Sequence, residues 1–212
     1  MKKNLSFFAF NFAYALFTLC VFNAYFLSRL WKTLPITAFV FIWLGLFVFF
    51  LMFQLLVFGK RTLKPLSVIL LVANAVAGYF ISTYHVVLNK MMLSNLLDTN
   101  FFEATEWLGI SFCLYMLFFC AVPAAGIIKA RIDVPSFTVR LKVIIGCFLL
   151  NLIFLSPFAF YKKNVSIYMK ENHGLRYQFV PSSYVSSMFS LLNYHLKKVP
   201  SIDSIKGLTQ KK

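Results

Sequence analysis

Long apolar segments alternate with short polar ones along this chain, and the pattern predicts a helical membrane protein. Five segments are each about 20 residues long, the length that an α-helix needs to cross the hydrocarbon core of a bilayer. Backbone N–H and C=O groups in lipid must be hydrogen-bonded within the chain, so each segment is predicted to be a helix. The predicted spans are Phe7–Leu27, Ile36–Phe58, Leu66–Tyr84, Trp107–Ile128 and Leu141–Tyr161.

The composition agrees with this prediction. Of the 212 residues, 60% are hydrophobic and 13% are charged, which is about half the charged fraction of a soluble domain. The first apolar segment is too long for the core of a signal peptide, so we interpret Phe7–Leu27 as an uncleaved span. The cysteines lie in apolar segments without C-x-x-C spacing, which disfavours a disulfide framework or a metal site. They are Cys20, Cys113, Cys120 and Cys147.

The basic residues predict an orientation. A net charge of +15 can indicate nucleic-acid binding, but here the cations lie between and after the apolar segments, so we expect no nucleic-acid partner. Nine Lys or Arg residues flank the spans on one side and three on the other, which places the N-terminus in the cytoplasm and the tail outside. The nine are Lys2, Lys3, Lys60, Arg61, Lys64, Lys129, Arg131, Arg140 and Lys142; the three are Arg29, Lys32 and Lys90.

The tail after the fifth span is predicted to rest on the membrane surface. Its stretches Val165–Arg176 and Tyr184–Leu196 mix apolar with polar residues, as short interfacial helices do. The predicted fold class is therefore an all-α membrane protein with five transmembrane helices and short interfacial periplasmic helices. The chain divides into a transmembrane domain (1–161), interfacial helices (162–199) and a linker (200–212).

Polar side chains are few within the predicted spans, and almost none are ionisable. Five amides are predicted to form hydrogen bonds between helices: Asn11, Asn23, Gln54, Asn74 and Asn151. Ion-coupled transporters, pumps and voltage-gated channels need charged or protonatable groups within the membrane. The pattern therefore disfavours these classes.

The loop between the third and fourth spans contains the strongest candidate site. Asn95, Thr99 and Glu103 recur at every fourth position, so a continuous helix would place them on one face. Such a row could bind a zwitterionic headgroup, because the carboxylate pairs with an ammonium while the amide and hydroxyl hydrogen-bond phosphate oxygens. The same spacing also fits the solvated polar face of an amphipathic helix, and spacing alone favours that second interpretation.

The chain resembles the lipid A phosphoethanolamine transferases, which include the mobile colistin-resistance enzymes. That family has five spans, and its loop after the third carries Y-G-x-x-x-D followed by M-x-x-N-x-x-x-T-x-x-x-E. The matching residues are Tyr84, Met92, Asn95, Thr99 and Glu103, while His85 and Asn89 depart from the glycine and the aspartate. After the last span, Asn172–Pro181 partly matches a family segment N-H-R-x-L-R-x-x-x-x-P.

The resemblance implies that the full-length protein moves phosphoethanolamine from phosphatidylethanolamine to lipid A at the bacterial inner membrane. In this family the row equivalent to Asn95, Thr99 and Glu103 helps to bind the phosphoethanolamine substrate. The chemistry belongs to a periplasmic domain with a threonine nucleophile and zinc. We therefore expect no catalytic residue, metal ligand or cofactor in this chain, which would be inactive alone.

Under this interpretation the chain is a membrane anchor and substrate-docking domain. Its expected partners are phosphatidylethanolamine, lipid A, membrane lipids and its own periplasmic catalytic domain. The alternative is a non-enzymatic membrane protein that binds lipid or scaffolds a partner. The sequence encoded after Lys212 distinguishes the two.

Overall fold

The computed structural model describes residues 5–86, 91–92, 109–156 and 178–198, and these are almost entirely helical. Two short strands pair in parallel, with Leu5 opposite Ile132 and Ser6 opposite Asp133. The elements are β1 (Leu5–Ser6), α1 (Phe7–Phe17), a π-helical turn (Thr18–Phe22), α2 (Ala24–Thr33), α3 (Ile36–Val57), α4 (Leu63–Tyr84), α5 (Ile110–Met116), a second π-helical turn (Leu117–Ala121), α6 (Val122–Lys129), β2 (Ile132–Asp133), α7 (Phe137–Leu155) and α8 (Ser182–Lys198).

Four continuous helical stretches in the described part of the chain are long and apolar enough to cross a bilayer. They are Ile36–Val57, Leu63–Tyr84, Ile110–Lys129 and Phe137–Leu155. Their mean hydropathies lie between 1.9 and 2.6, and they confirm four of the five predicted spans with small shifts in their ends. The predicted end of the fifth span, Tyr161, lies outside the described residues.

The first predicted span, Phe7–Leu27, is bent and is not one straight helix. Phe7–Phe22 and Ala24–Thr33 meet at an angle of 70°, and the break falls on Asn23, whose φ of −109° and ψ of 15° are not helical. The bent pair together still passes the length and composition test for a span, giving up to five. An inserted polar group is a recognised cause of helix kinks, and the amide of Asn23 bonds outside the regular helical pattern, as described below.

One core cluster forms where the first span packs against α3 and α4, and side chains of the second π-helical turn and α6 complete it. The Tyr14 hydroxyl donates to the Ser67 carbonyl oxygen at 2.7 Å, joining α1 to α4. Farther along, a Cβ added at Gly78 would lie 3.3 Å from the Cα of Phe22, so these two helices approach closely. The buried residues of this cluster are Phe7, Phe10, Tyr14, Phe22, Leu55, Phe58, Leu63, Leu71, Ala75, Cys120 and Ile127.

The outward faces of α5 and α7 are apolar. Ile110 is 81% exposed and Ile153 62% exposed. Water would make such surfaces costly, whereas lipid covers them without penalty. Exposed apolar side chains around the bundle thus agree with a multi-pass membrane protein.

The loops predicted to lie in the cytoplasm meet at one end of the bundle, called the basic end. There the Lys64 ammonium donates to the Ile128 carbonyl oxygen at 2.8 Å, and Arg140 donates to the Phe58 carbonyl oxygen at 2.7 Å. Both acceptors lie at helix C-termini, where the last carbonyls lack partners within the helix and carry partial negative charge. Lys64 and Arg140 therefore cap helix C-termini, and they also contribute positive charge to the basic end.

Candidate functional site

The predicted row of Asn95, Thr99 and Glu103 lies outside the described residues, so its geometry stays a prediction. What the structure describes are the chain segments that enter and leave this loop. The loop starts after α4, at His85 and Val86, and the described chain resumes at Gly109 before α5. These residues lie at the end of the bundle opposite the basic end, called the loop end.

His85 ends α4 in the conformation that favours glycine. Its φ of 55° and ψ of 29° are left-handed helical values, which glycine adopts freely and which histidine adopts more often than most other residues. Its ring also stacks on Tyr25, with centroids 4.5 Å apart and an interplanar angle of 20°. The replacement of the family's glycine by His85 is therefore compatible with a turn of the glycine type.

The bend in the first span places α2 beneath this turn. The ring of Tyr25 on α2 stacks against the His85 ring. The Arg29 guanidinium donates a hydrogen bond to the Tyr25 hydroxyl oxygen at 3.4 Å. Sequence reasoning did not identify this Tyr25–Arg29–His85 group. No periodic pattern marks it, because the three residues come from two helices that meet only in the folded chain.

Gln178, Val180 and Ser183, which follow the last span, are buried within the bundle. The Asn23 side chain binds the Val180 backbone twice: its Nδ2 donates to the Val180 carbonyl oxygen at 3.0 Å, and its Oδ1 accepts from the Val180 N–H at 2.8 Å. Both residues have no exposed surface. The Phe179 ring lies between Phe26 and Phe50, with centroid distances of 5.1 and 5.6 Å.

A second polar contact follows one turn later. The Tyr184 hydroxyl donates to Oδ1 of Asn74 at 2.9 Å. Burial raises the pKa of Tyr184, so this hydroxyl stays protonated and available as a donor at neutral pH. The expected helix over Tyr184–Leu196 is present within α8. One face of α8 is buried at Ser183 and Ser187.

The amides within the spans have different partners. The predicted bond between helices is confirmed for Asn151, whose Nδ2 donates from α7 to the Gly45 carbonyl oxygen of α3 at 2.9 Å. It is wrong for Asn11, whose Nδ2 donates to Phe7 in the same helix. Asn23 binds Val180 and Asn74 accepts from Tyr184. Oε1 of Gln54 is buried without a hydrogen-bond partner among the described residues.

An apolar groove lies between α3 and α7. It has a volume of about 350 Å³ and is bordered by Gly45, Asn151 and Phe179, with the remaining wall formed by Ile42, Leu46, Phe49 and Leu155.

Within the described ranges, no group of three or more His, Cys, Asp or Glu side chains could hold a metal ion.

Comparison with known proteins identifies the family. The family model described as phosphoethanolamine transferase EptA/EptB matches residues 45–196 of this chain. The chain belongs to this family. The match includes most of α3, the helices α4 to α8, the loop between α4 and α5, and the buried Val180.

Curated relatives agree with this assignment. The chain is 26% identical over 153 residues to phosphatidylethanolamine transferase Mcr-1 of Escherichia coli, covering 72% of this chain and 27% of the relative. It is 36% identical over 63 residues to phosphoethanolamine transferase EptA of Helicobacter pylori, covering 30% of this chain and 12% of the relative. The chain thus spans about a quarter or less of the length of these relatives.

A solved structure has the same fold. It is the integral membrane lipooligosaccharide phosphoethanolamine transferase A (EptA) of Neisseria meningitidis, with a TM-score of 0.76 at 18% identity. The similarity covers 88% of this chain and 37% of the other. It confirms the predicted all-α membrane fold.

Proposed function

We propose that this chain is the membrane anchor and substrate-docking domain of an enzyme that transfers phosphoethanolamine from phosphatidylethanolamine to lipid A. The observation that carries the proposal is the family match over residues 45–196, which includes most of α3 and the helices that follow it. The names of Mcr-1 and of the Neisseria meningitidis EptA supply the two substrate classes, a phosphatidylethanolamine donor and a lipooligosaccharide acceptor. Both substrates are membrane lipids, so a membrane domain can help to bind them.

The bond-making steps belong to a further domain in this proposal. The described residues offer no metal-binding group, so no step through zinc is assigned to this chain. In such a domain, zinc would lower the pKa of a threonine nucleophile and stabilise charge on phosphoryl oxygens. This chain alone is expected to bind lipid without transferring phosphoethanolamine.

The donor headgroup is assigned to the row of Asn95, Thr99 and Glu103. Glu103 pairs with the ammonium of phosphoethanolamine, and Asn95 and Thr99 hydrogen-bond its phosphate oxygens. The described start of the loop supports this assignment, because His85 ends α4 at the loop end and belongs to the Tyr25–Arg29–His85 group. An ion pair at the membrane surface is stronger than in bulk water because the local dielectric constant is lower.

The orientation is also part of the proposal. The N-terminus and the basic end lie in the cytoplasm, and the loop end and α8 face the periplasm of a bacterial inner membrane. The clustering of Lys64 and Arg140 at one end supports it through the positive-inside rule. In this orientation the loop end faces a periplasmic catalytic domain.

A substitution in the full-length protein tests the headgroup site. Glu103→Gln keeps the size of the side chain and removes its charge, so modified lipid A, measured by mass spectrometry, should fall at least about tenfold. Asp98→Asn is the matched control, because Asp98 is a carboxylate in the same loop and, in a continuous helix, lies about 100° around the axis from the neighbouring Thr99 of the row. Equal modification by wild type and Glu103→Gln, at equal membrane levels, contradicts the role of Glu103. Lipid A that stays unmodified even with the wild-type gene favours a non-enzymatic lipid-binding protein.

A further inference from the structure

The segment Gln178–Tyr184 packs against the half of α4 that is nearer the loop end. Val180 packs with Ala77 and Ile81 of α4, near the end of that helix. Asn74 lies about 15 Å from the α4 terminus at Tyr84, given a rise of 1.5 Å per residue, and the Tyr184 hydroxyl reaches it. The segment is therefore seated in the bundle and reaches below its surface.

Burial of this segment requires hydrogen-bond partners for its backbone. Gln178–Pro181 precedes α8 and is not helical, so the backbone groups of Val180 have no partners within a helix. A backbone group left unpaired in an apolar environment is strongly unfavourable. The Asn23 amide satisfies both the N–H and the C=O of Val180.

Asn23 performs this role at the point where its own helix is broken. The residue stands between the π-helical turn and α2, and its Nδ2 also lies 3.2 Å from the Thr18 carbonyl oxygen, to which it donates. The break, the buried amide and the bound backbone thus form one arrangement. A side chain that only filled space would not need to pair with both backbone groups of a residue 157 positions away.

We propose that Gln178–Tyr184 is a docking segment that holds the chain following it in a fixed position over the loop end. Asn23 and Tyr184 are its positioning residues. The inference rests on the proposed function in one respect, that the chain continuing after α8 leads to the catalytic domain. The docking segment then sets where that domain stands relative to the lipid substrates.

Hydrogen–deuterium exchange of this chain in lipid nanodiscs tests the docking itself. Asn23→Ala removes both bonds to Val180, so amides within residues 178–185 should exchange at least about tenfold faster, while peptides of α3 stay unchanged. Tyr184→Phe removes one hydroxyl and should give a smaller increase in the same peptides. Asn11→Ala is the matched control, because Asn11 is a buried amide of the same span that donates only to its own helix.

Transfer by the full-length protein tests the positioning role. Asn23→Ala and Tyr184→Phe should lower lipid A modification several-fold, while hydrolysis of a water-soluble phosphoethanolamine ester by the same purified proteins stays unchanged. That split is expected only if the catalytic domain is intact but misplaced. Asn11→Ala should leave both reactions unchanged.

The outcomes separate this inference from the proposed function. Unchanged exchange at 178–185 in both variants overturns the docking segment, whatever the enzyme does. Faster exchange with undiminished lipid A modification overturns the positioning role. If the variants exchange faster but the wild-type protein modifies no lipid A, the docking segment is supported. The proposed function and the positioning role are then both refuted.

Discussion

Two glycines in the spans provide a matched test of the packing between helices. A Cβ at Gly78 would lie 3.3 Å from Cα, Cβ and Cδ1 of Phe22, and the Cα belongs to the backbone beside the break at Asn23. A Cβ at Gly45 would meet the end of the Leu155 side chain at 3.4 Å, which can move aside. Overpacking typically costs about 1–3 kcal/mol, whereas alanine stabilises a helix by about 1 kcal/mol relative to glycine.

The two substitutions are therefore expected to change the free energy of unfolding in different directions. Gly78→Ala should lower the free energy of unfolding by about 1 kcal/mol, since a backbone neighbour cannot retreat. Gly45→Ala should leave it unchanged or raise it by up to about 1 kcal/mol. The assay is unfolding of the purified chain by increasing SDS in mixed micelles, followed by tryptophan fluorescence. A Gly78→Ala variant as stable as Gly45→Ala would refute the close approach of α4 to the first span.

Further predictions concern single contacts and the orientation. Asn151→Leu should lower the free energy of unfolding in the same assay by about 1 kcal/mol, because it removes the hydrogen bond to the Gly45 carbonyl oxygen. This is a typical value for a hydrogen bond between membrane helices. An unchanged free energy of unfolding would contradict the contribution of this bond. The free energy of unfolding of His85→Gly should stay within about 1 kcal/mol of the wild-type value. That of His85→Val should be about 1–2 kcal/mol lower, because a β-branched residue disfavours the φ of 55°. Equal stability of the two variants would refute the left-handed conformation at residue 85. A phosphatase reporter active only in the periplasm should be active when fused at Lys212 and inactive at Lys60, and the reverse would overturn the orientation.

The candidate site was only partly predictable from the sequence. The row of Asn95, Thr99 and Glu103 follows from spacing, and its role follows from family resemblance; it stays a prediction because it lies outside the described residues. The Tyr25–Arg29–His85 group and the docking segment were not predicted. Each joins residues from distant parts of the chain, and spacing along a sequence reports only which residues share a face of one element.

The sequence by itself determined the membrane class, the positions of the straight spans and the clustering of basic residues between particular spans. These properties are local, because whether a 20-residue segment enters lipid depends mainly on its own apolar content. The tertiary structure decided which hydrogen-bond partner each side-chain amide has. It thereby also decided that the first span is bent. Asn23 lies in a segment that reads as one continuous span, yet it breaks the helix and binds the Val180 backbone. That choice depends on a partner 157 residues away, whose unpaired backbone groups would be costly in an apolar interior.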